Sequence, residues 1–179
     1  VPLFHANGWG LPFSAPAAGA KLVFPGRNTD GAWLASLIRA EGVTIAAGVQ
    51  TVWQRLADHV AATGERVPSL KRVIIGGSTC PDSLIRHMED HLEARVQTTW
   101  GMTELSPLGT AAPASGRSVA SGRPSIGIDL KLTDAAGNAL TEQRNGVGRL
   151  KVNGASVIER YFKGENSAVD SECYFATGE

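Results

Sequence analysis

Residues 70–104 read LKRVIIGGSTCPDSLIRHMEDHLEARVQTTWGMTE and contain the pattern that decides the fold. The apolar run at 70–75 predicts a strand, and two glycines end it. Pro81 then favours the start of a helix, and residues 95–98 predict a second strand. The helix between them carries apolar residues at helical spacing: Leu84, Ile85, Met88 and Leu92. We therefore expect a strand, a helix and a strand whose apolar faces pack together.

The preceding residues repeat this alternation. Strands are predicted at 19–26 and 43–47, whereas residues 1–13 are too irregular to assign. Strands separated by helices with short connections indicate a mostly parallel sheet with flanking helices, an α/β fold. In such a sheet the segments that follow successive strands meet at one edge. Two helices are predicted, one from the N-cap Asp30 to Gly42 and one from the cap Thr51 to Gly64.

The remainder of the chain predicts a different architecture. Residues 111–125 are small, polar and prone to turns, so we expect a loop there. Strands at 126–133 and 147–152, with a turn at 134–138, predict a small antiparallel β-subdomain. The predicted organisation is thus an α/β subdomain at 1–110, the loop, and the β-subdomain at 126–179.

Composition excludes several classes of protein. The 179 residues balance 17 Lys and Arg against 17 Asp and Glu, with no basic stripe, so nucleic-acid binding is not expected. No apolar run is long enough to cross a membrane, and the opening residues lack the charged region and the long apolar core of a signal peptide. We expect a cytoplasmic protein, for which a homodimer is possible and the oligomeric state stays open. The chain lacks an initial methionine and ends at Glu179, so we also expect it to be a piece of a longer protein.

Residues 99–104 combine the groups that a nucleotide and a metal ion require. Trp100 offers a flat face, Gly101 permits close backbone approach, Thr103 can donate to a phosphate, and Glu104 is a hard oxygen ligand. A solvated turn at the end of a strand is the alternative. Elsewhere, Cys80 before a helix could be a nucleophile, but no histidine is paired with it in the sequence. His87 and His91 could face a metal ion, but the charged residues around them favour a solvated face.

Several stretches in fixed order resemble the adenylate-forming superfamily, which includes acyl-CoA synthetases, peptide-synthetase adenylation domains and firefly luciferase. The resemblance covers essentially the whole chain, and the opening residues 2–10 are similar to those of medium- and long-chain fatty acyl-CoA synthetases. The matching stretches are 76–81 (GGSTCP), 99–104 (TWGMTE), 148–154 (GRLKVNG) with 161–164 (YFKG), and 174–179 (YFATGE).

The resemblance implies a role for individual residues. It places Trp100 against adenine, with indole in place of the family's usual tyrosine, and makes Glu104 the magnesium ligand. His5, Thr103 and Glu104 would take part in catalysis, and His5, Trp9 and Gly101 would contact the acid substrate. The residues implied to bind ATP or AMP are Gly76, Gly77, Ser78, Thr99, Trp100, Gly101 and Glu179. The family typically has aspartate where Glu179 stands, so its contact with the ribose is the clearest departure.

The implied activity is that of a fatty acyl-CoA synthetase. A carboxylate and ATP give an acyl-adenylate and pyrophosphate, and CoA then gives the thioester and AMP. The family's phosphate-binding loop and C-terminal catalytic lysine are not within these 179 residues, so we expect the isolated chain to be inactive. The alternative is a noncatalytic module that binds a nucleotide or an acyl group. The identity of the acid stays open.

Overall fold

A computed structural model of the chain describes residues 1–112 and 121–179, and its strands form two sheets. The first sheet has the order β1-β2-β3-β4-β5, in which β1, β2 and β3 are parallel and the last two pairings are antiparallel. The predicted α/β class with a mostly parallel sheet is confirmed. The strands of this sheet are β1 (Ile45–Gly48), β2 (Arg72–Ile75), β3 (Arg95–Gly101), β4 (Leu108–Ala111) and β5 (Arg123–Pro124).

Helices cover one face of this sheet. Every second residue of β2, Val73 and Ile75, is buried in the helical core. Val96 of β3 continues that layer. Each such side chain contributes roughly 1.5–3 kcal/mol when fully buried. The intervening residues therefore face the opposite side of the sheet. The helices that contribute to this core are α3 (Gly31–Glu41), α4 (Gln50–Thr63) and α5 (Asp82–Leu92), whereas two short segments before them, α1 (Ala6–Trp9) and α2 (Leu11–Ala17), contribute none of its buried residues.

The helix ends follow the sequence signals closely. Asp30 accepts a hydrogen bond from the Trp33 amide at 2.8 Å and caps α3, which ends at Gly42 with φ of 61°. The N-cap of α4 is Val49, two residues before the predicted Thr51, which lies inside the helix. Pro81 likewise precedes α5 rather than opening it.

The predicted strand at 19–26 is wrong, because these residues join no sheet among the described part of the chain. Gly19 and Gly26 both adopt positive φ values, 70° and 73°, and bend the backbone at each end of the segment. Pro25 has no amide hydrogen to donate, and its carbonyl accepts the Trp33 indole hydrogen at 2.9 Å instead of a strand partner.

Residues 6–10 form a left-handed turn, which explains why the opening pattern fits no ordinary helix. A left-handed conformation costs roughly 1–2 kcal/mol for each residue other than glycine, so glycine and asparagine favour it. His5 precedes this turn, and Trp9 lies within it. Its φ values are 39° for Ala6, 55° for Asn7, 64° for Gly8, 57° for Trp9 and 70° for Gly10.

The second sheet is antiparallel, with the order β6-β7-β8. Its pairing runs from Ile128 opposite Gly154 to Thr133 opposite Arg149. Asp134 forms the predicted turn by accepting hydrogen bonds from the amides that follow it. Residues 113–120 of the predicted loop lie outside the described residues, and its end forms β5. The strands are β6 (Ile128–Thr133), β7 (Arg149–Gly154) and β8 (Phe175–Ala176).

Tyr174, which precedes β8, gives this sheet a response to alkaline pH. Its hydroxyl donates to the Asp129 carboxylate, and this hydrogen bond raises the pKa of Tyr174 from 10.0 to about 12. The folded state therefore favours the protonated phenol. Its contribution to stability is complete below pH 10 and is lost as the pH rises towards 12.

We expect the free energy of unfolding to fall less steeply over that pH range in Tyr174→Phe than in the unchanged protein. Urea denaturation at a series of pH values measures both slopes, and the comparison cancels the lysines that titrate in the same range. Equal slopes would show that the phenol and Asp129 are not hydrogen-bonded in solution.

Candidate functional site

A cavity of about 300 Å³ lies at the carboxyl end of the parallel strands. Ile74, Gln97 and Thr99 reach it from the face of the sheet that is opposite to the helical core. Most of its other lining is apolar or backbone. The remaining residues around it are His5, Ala6, Trp9, Leu11, Ala47, Gly76, Gly77, Gly101, Met102, Thr103, Pro107, Leu108 and Ala111.

Gly76, the first residue after β2, lies against the end of β3. A Cβ atom at this residue would lie 2.8 Å from Thr99 Oγ1 and 3.2 Å from Trp9 Cη2, so a side chain here would force those two side chains to shift. The Thr99 hydroxyl donates to the Ile75 carbonyl at 3.0 Å and closes the junction. The structure thus brings Gly76 and Thr99 together, as parallel strand order predicts, and adds Trp9, which that order did not predict.

Trp100 lies on the other side of β3. The strand continues to Gly101 instead of ending at the predicted residue 98, and its alternation separates Trp100 from Thr99. The indole ring packs over Gly109 of β4, where a Cβ atom would lie 2.3 Å from Trp100 Cζ3. Trp100 does not line the cavity, and its ring is partly exposed. The aromatic surface of Trp100 and the apolar cavity therefore lie on opposite faces of β3.

Thr103 and Glu104 lie on a single 3₁₀ turn that follows β3, Thr103–Leu105. Leu105 is fully buried and anchors the turn, while the Met102 amide donates to the Pro107 carbonyl at 2.9 Å. Thr103 is exposed at the cavity, and Glu104 is half-buried beside it. A hydroxyl and a carboxylate are consequently presented on a rigid support.

Glu104 is held by a segment that the sequence did not link to it. The Tyr161 hydroxyl donates to Glu104 Oε1 at 3.0 Å, and the Ile158 amide donates to the Glu104 carbonyl at 2.9 Å. The hydrogen bond to the carboxylate raises the pKa of Tyr161. No periodicity connects residues that lie 57 positions apart in the chain, so sequence reasoning could not find this contact.

The carboxylate of Glu104 fits a magnesium ion that arrives with phosphates. The described residues include no group of three or more His, Cys, Asp or Glu side chains able to hold a metal ion by themselves. Magnesium, however, is usually bound through one or two carboxylates together with substrate phosphates and water. Across residues 1–112 and 121–179, Oε2 of Glu104 accepts no hydrogen bond and is open to such an ion.

Three predicted site residues lie at the margins. His5 is exposed at the cavity, and its ring centre is 4.8 Å from that of Phe4. Ser78 is exposed on the segment after β2. Glu179 is exposed and joins the second sheet through its carbonyl, which accepts from the Leu150 amide at 2.9 Å. The structure gives its carboxylate no contact with the other predicted residues.

Comparison with known proteins agrees with this arrangement. The sequence model of the family described as AMP-binding enzyme matches residues 1–162. This chain belongs to the AMP-binding enzyme family. The resemblance predicted from the motifs is confirmed, and it includes most of both sheets. Among residues 1–112 and 121–179, no helix is long and apolar enough to span a membrane.

Relatives within the AMP-binding enzyme family are named as ligases that join acids to CoA. A medium-chain-fatty-acid–CoA ligase of Ectopseudomonas oleovorans is 43% identical over 191 residues, which include 100% of this chain and 35% of the relative. A 3-methylmercaptopropionyl-CoA ligase of Ruegeria lacuscaerulensis is 38% identical, with the same two coverages. A long-chain-fatty-acid–CoA ligase of Thermus thermophilus is 34% identical, with 100% and 36% covered. The chain thus spans about a third of the length of these relatives.

Solved structures share the fold. The N-terminal domain of FACL13 from Mycobacterium tuberculosis superposes with a TM-score of 0.84 at 21% identity, and the match covers 99% of this chain and 45% of that one. Apo MatB from Rhodopseudomonas palustris also gives 0.84, at 24% identity, with 100% and 36% covered. Both solved structures therefore share the fold of this chain over at least 99% of its length.

Proposed function

We propose that the chain is part of an ATP-dependent acyl-CoA synthetase. In this reaction a carboxylate attacks the α-phosphorus of ATP, an acyl-adenylate forms and pyrophosphate leaves, and CoA then displaces AMP to give a thioester. The observation that carries the proposal is one cavity whose apolar wall leads to the exposed Thr103 hydroxyl, with the Glu104 carboxylate beside it on the same turn.

The wall of the cavity supports an aliphatic acid as substrate. The apolar wall offers methyl and methylene surface from Ala47, Ile74, Leu11 and Leu108. Gly76, which lies against Thr99, adds no side chain to the cavity. Burying each CH₂ of an acyl chain on such a surface is worth about 0.8 kcal/mol. The names of the relatives, which act on medium-chain, long-chain and methylmercaptopropionyl acids, agree with an aliphatic chain.

The polar residues at the cavity mouth would orient the carboxylate and ATP. His5, Trp9 and Gly101 all line the cavity. In this proposal His5 would contact the substrate carboxylate, and Trp9 with Gly101 would contact the acyl chain. Thr103 would donate to a phosphate, and Glu104 would hold the magnesium ion. When bound, that ion supplies positive charge against the charge that builds up on the phosphates during transfer.

The nucleotide base would bind on the other side of β3. Trp100 presents a partly exposed indole there, and an aromatic face suits stacking on adenine. Gly77 and Ser78 lie on the segment after β2, where small residues allow a base to approach the backbone. In this proposal Gly76, Thr99 and Gly101 form the junction between base and acid, and Glu179 would reach the ribose hydroxyls.

ATP–pyrophosphate exchange by the full-length protein tests the proposal directly. We expect exchange that depends on an added carboxylic acid and on magnesium, with saturated aliphatic acids preferred over aromatic ones. Thioester formation should follow when CoA is added. The isolated 179-residue chain serves as the comparison and should show no appreciable exchange.

A noncatalytic module that binds a nucleotide or an acyl group is the competing function. Full-length protein that binds ATP without exchanging pyrophosphate for any acid in the series would favour that module. Robust thioester formation by the isolated chain would contradict the expectation that it is inactive alone.

A further inference from the structure

We propose that Tyr161 is a positioning residue, which orients the Glu104 carboxylate for the magnesium ion that accompanies ATP. The inference rests on the proposed function and deepens it. It assigns a role at the site to the segment after β7, a part of the second sheet's subdomain that lies outside the parallel strands. The support is a pair of contacts made by this segment on one residue, Glu104.

The first contact is made by the side chain. The Tyr161 hydroxyl donates to Glu104 Oε1 at 3.0 Å, a distance typical of a good hydrogen bond. The tyrosine ring itself is 54% exposed, so packing in a core does not dictate where the hydroxyl lies. The hydrogen bond is thus the specific interaction that this side chain makes with the site.

The second contact is made by the backbone. The Ile158 amide donates to the Glu104 carbonyl at 2.9 Å, three residues before the tyrosine. One segment therefore fixes both the main chain and the carboxylate of the same glutamate. Leu105, the next residue on the same 3₁₀ turn, is fully buried and anchors that turn in the first subdomain. Glu104 is consequently fixed from both subdomains.

The geometry leaves one carboxylate oxygen for the ion. Tyr161 occupies Oε1, and no described residue donates to Oε2. A free glutamate side chain samples several rotamers, and ordering it on binding reduces affinity. A phenol that holds one oxygen selects a rotamer before the ion arrives, and it adds no charge that would compete with the ion.

The chain offers a matched control. Tyr174 is the only other tyrosine in the sequence, and its hydroxyl also donates to a carboxylate, that of Asp129, within the second sheet. Tyr161→Phe and Tyr174→Phe each remove one phenolic hydroxyl and keep the ring. Only the first removes it from the proposed magnesium ligand.

The experiment measures binding of a fluorescent ATP analogue to the full-length protein as the magnesium concentration is varied. We expect Tyr161→Phe to raise the magnesium concentration for half-maximal binding about five- to tenfold, since hydrogen bonds to charged groups are worth more than neutral ones. Tyr174→Phe should leave it unchanged. Circular dichroism and thermal unfolding establish that both variants fold.

A double-mutant cycle separates positioning from a general structural effect. When Glu104 is replaced by alanine, adding Tyr161→Phe should cause no further change in magnesium dependence. The inference is overturned if Tyr161→Phe alone leaves that dependence unchanged, or if its effect persists without Glu104. Absence of magnesium-dependent ATP binding in the unchanged protein would instead reject the proposed function, and the inference with it.

Discussion

Glu104→Ala in the full-length protein is expected to lower the rate of ATP–pyrophosphate exchange by about 100-fold or more. Removing one group that stabilises developing charge in an active site typically costs this much. The described residues give the site no second acidic ligand cluster that could replace it. Initial exchange rates at saturating acid and ATP measure the effect. Glu104→Gln should lose nearly as much, because the amide keeps the size of the side chain but not its charge.

Glu172→Ala is the matched control for this experiment. Its carboxylate forms an ion pair with Lys131 at 2.7 Å on the surface of the second sheet. Such exposed pairs contribute little to stability, so exchange should be unchanged. If Glu104→Ala retained exchange within about threefold of the unchanged protein, its role as a metal ligand would be rejected, since a ligand of the reacting phosphates contributes far more.

Gly101→Ala is expected to reduce the free energy of unfolding by about 3 kcal/mol, the upper range for overpacked sites. A Cβ atom there would lie 2.0 Å from the Pro107 carbonyl oxygen and 3.2 Å from Leu108 Cα. Both atoms belong to the backbone beside β3, so no flexible side chain can move aside. The register of the β3–β4 pairing already shifts between Trp100 and Gly101, so the backbone has little room to adjust there. Chemical denaturation measures the loss.

Gly137→Ala provides the comparison for that measurement. The space around Gly137 is open, but its φ of 91° favours glycine. Its replacement should cost only the backbone penalty of roughly 1–2 kcal/mol. The two alanine variants therefore distinguish a steric clash from conformational strain. Equal losses at both sites would mean that β3 and the segment at Pro107 are less closely packed in solution.

The parts of the fold that were predictable are those with local causes. Asp30 and Gly42 bound a helix because a carboxylate can accept an amide hydrogen and glycine tolerates the left-handed end. Val73 and Ile75 alternate because successive side chains of a strand point to opposite faces. Neighbouring parallel strands then brought the segments at Gly76 and Thr99 together. Each of these inferences uses only residues a few positions apart or the order of elements.

The unpredicted parts depend on distant contacts or on rare backbone conformations. The short apolar run within 19–26 predicts a strand, but within residues 1–112 and 121–179 this segment joins no sheet. The left-handed turn at 6–10 satisfies neither helical nor strand periodicity. The extension of β3 depends on β4, which pairs with it across a turn of the chain. Tyr161 reaches Glu104 from another subdomain, and only folding reveals that contact.

Thr99 and Trp100 face opposite sides of the same strand, and this arrangement has an evolutionary consequence. Odd-numbered residues at this end of β3 face the cavity, whereas Trp100 faces away from it. Under the proposed function, substitutions at Gln97 therefore diversify the range of acids accepted while affinity for the nucleotide is inherited unchanged. Proteins with this architecture can acquire new acid substrates by point mutation while they keep their ATP-binding surface.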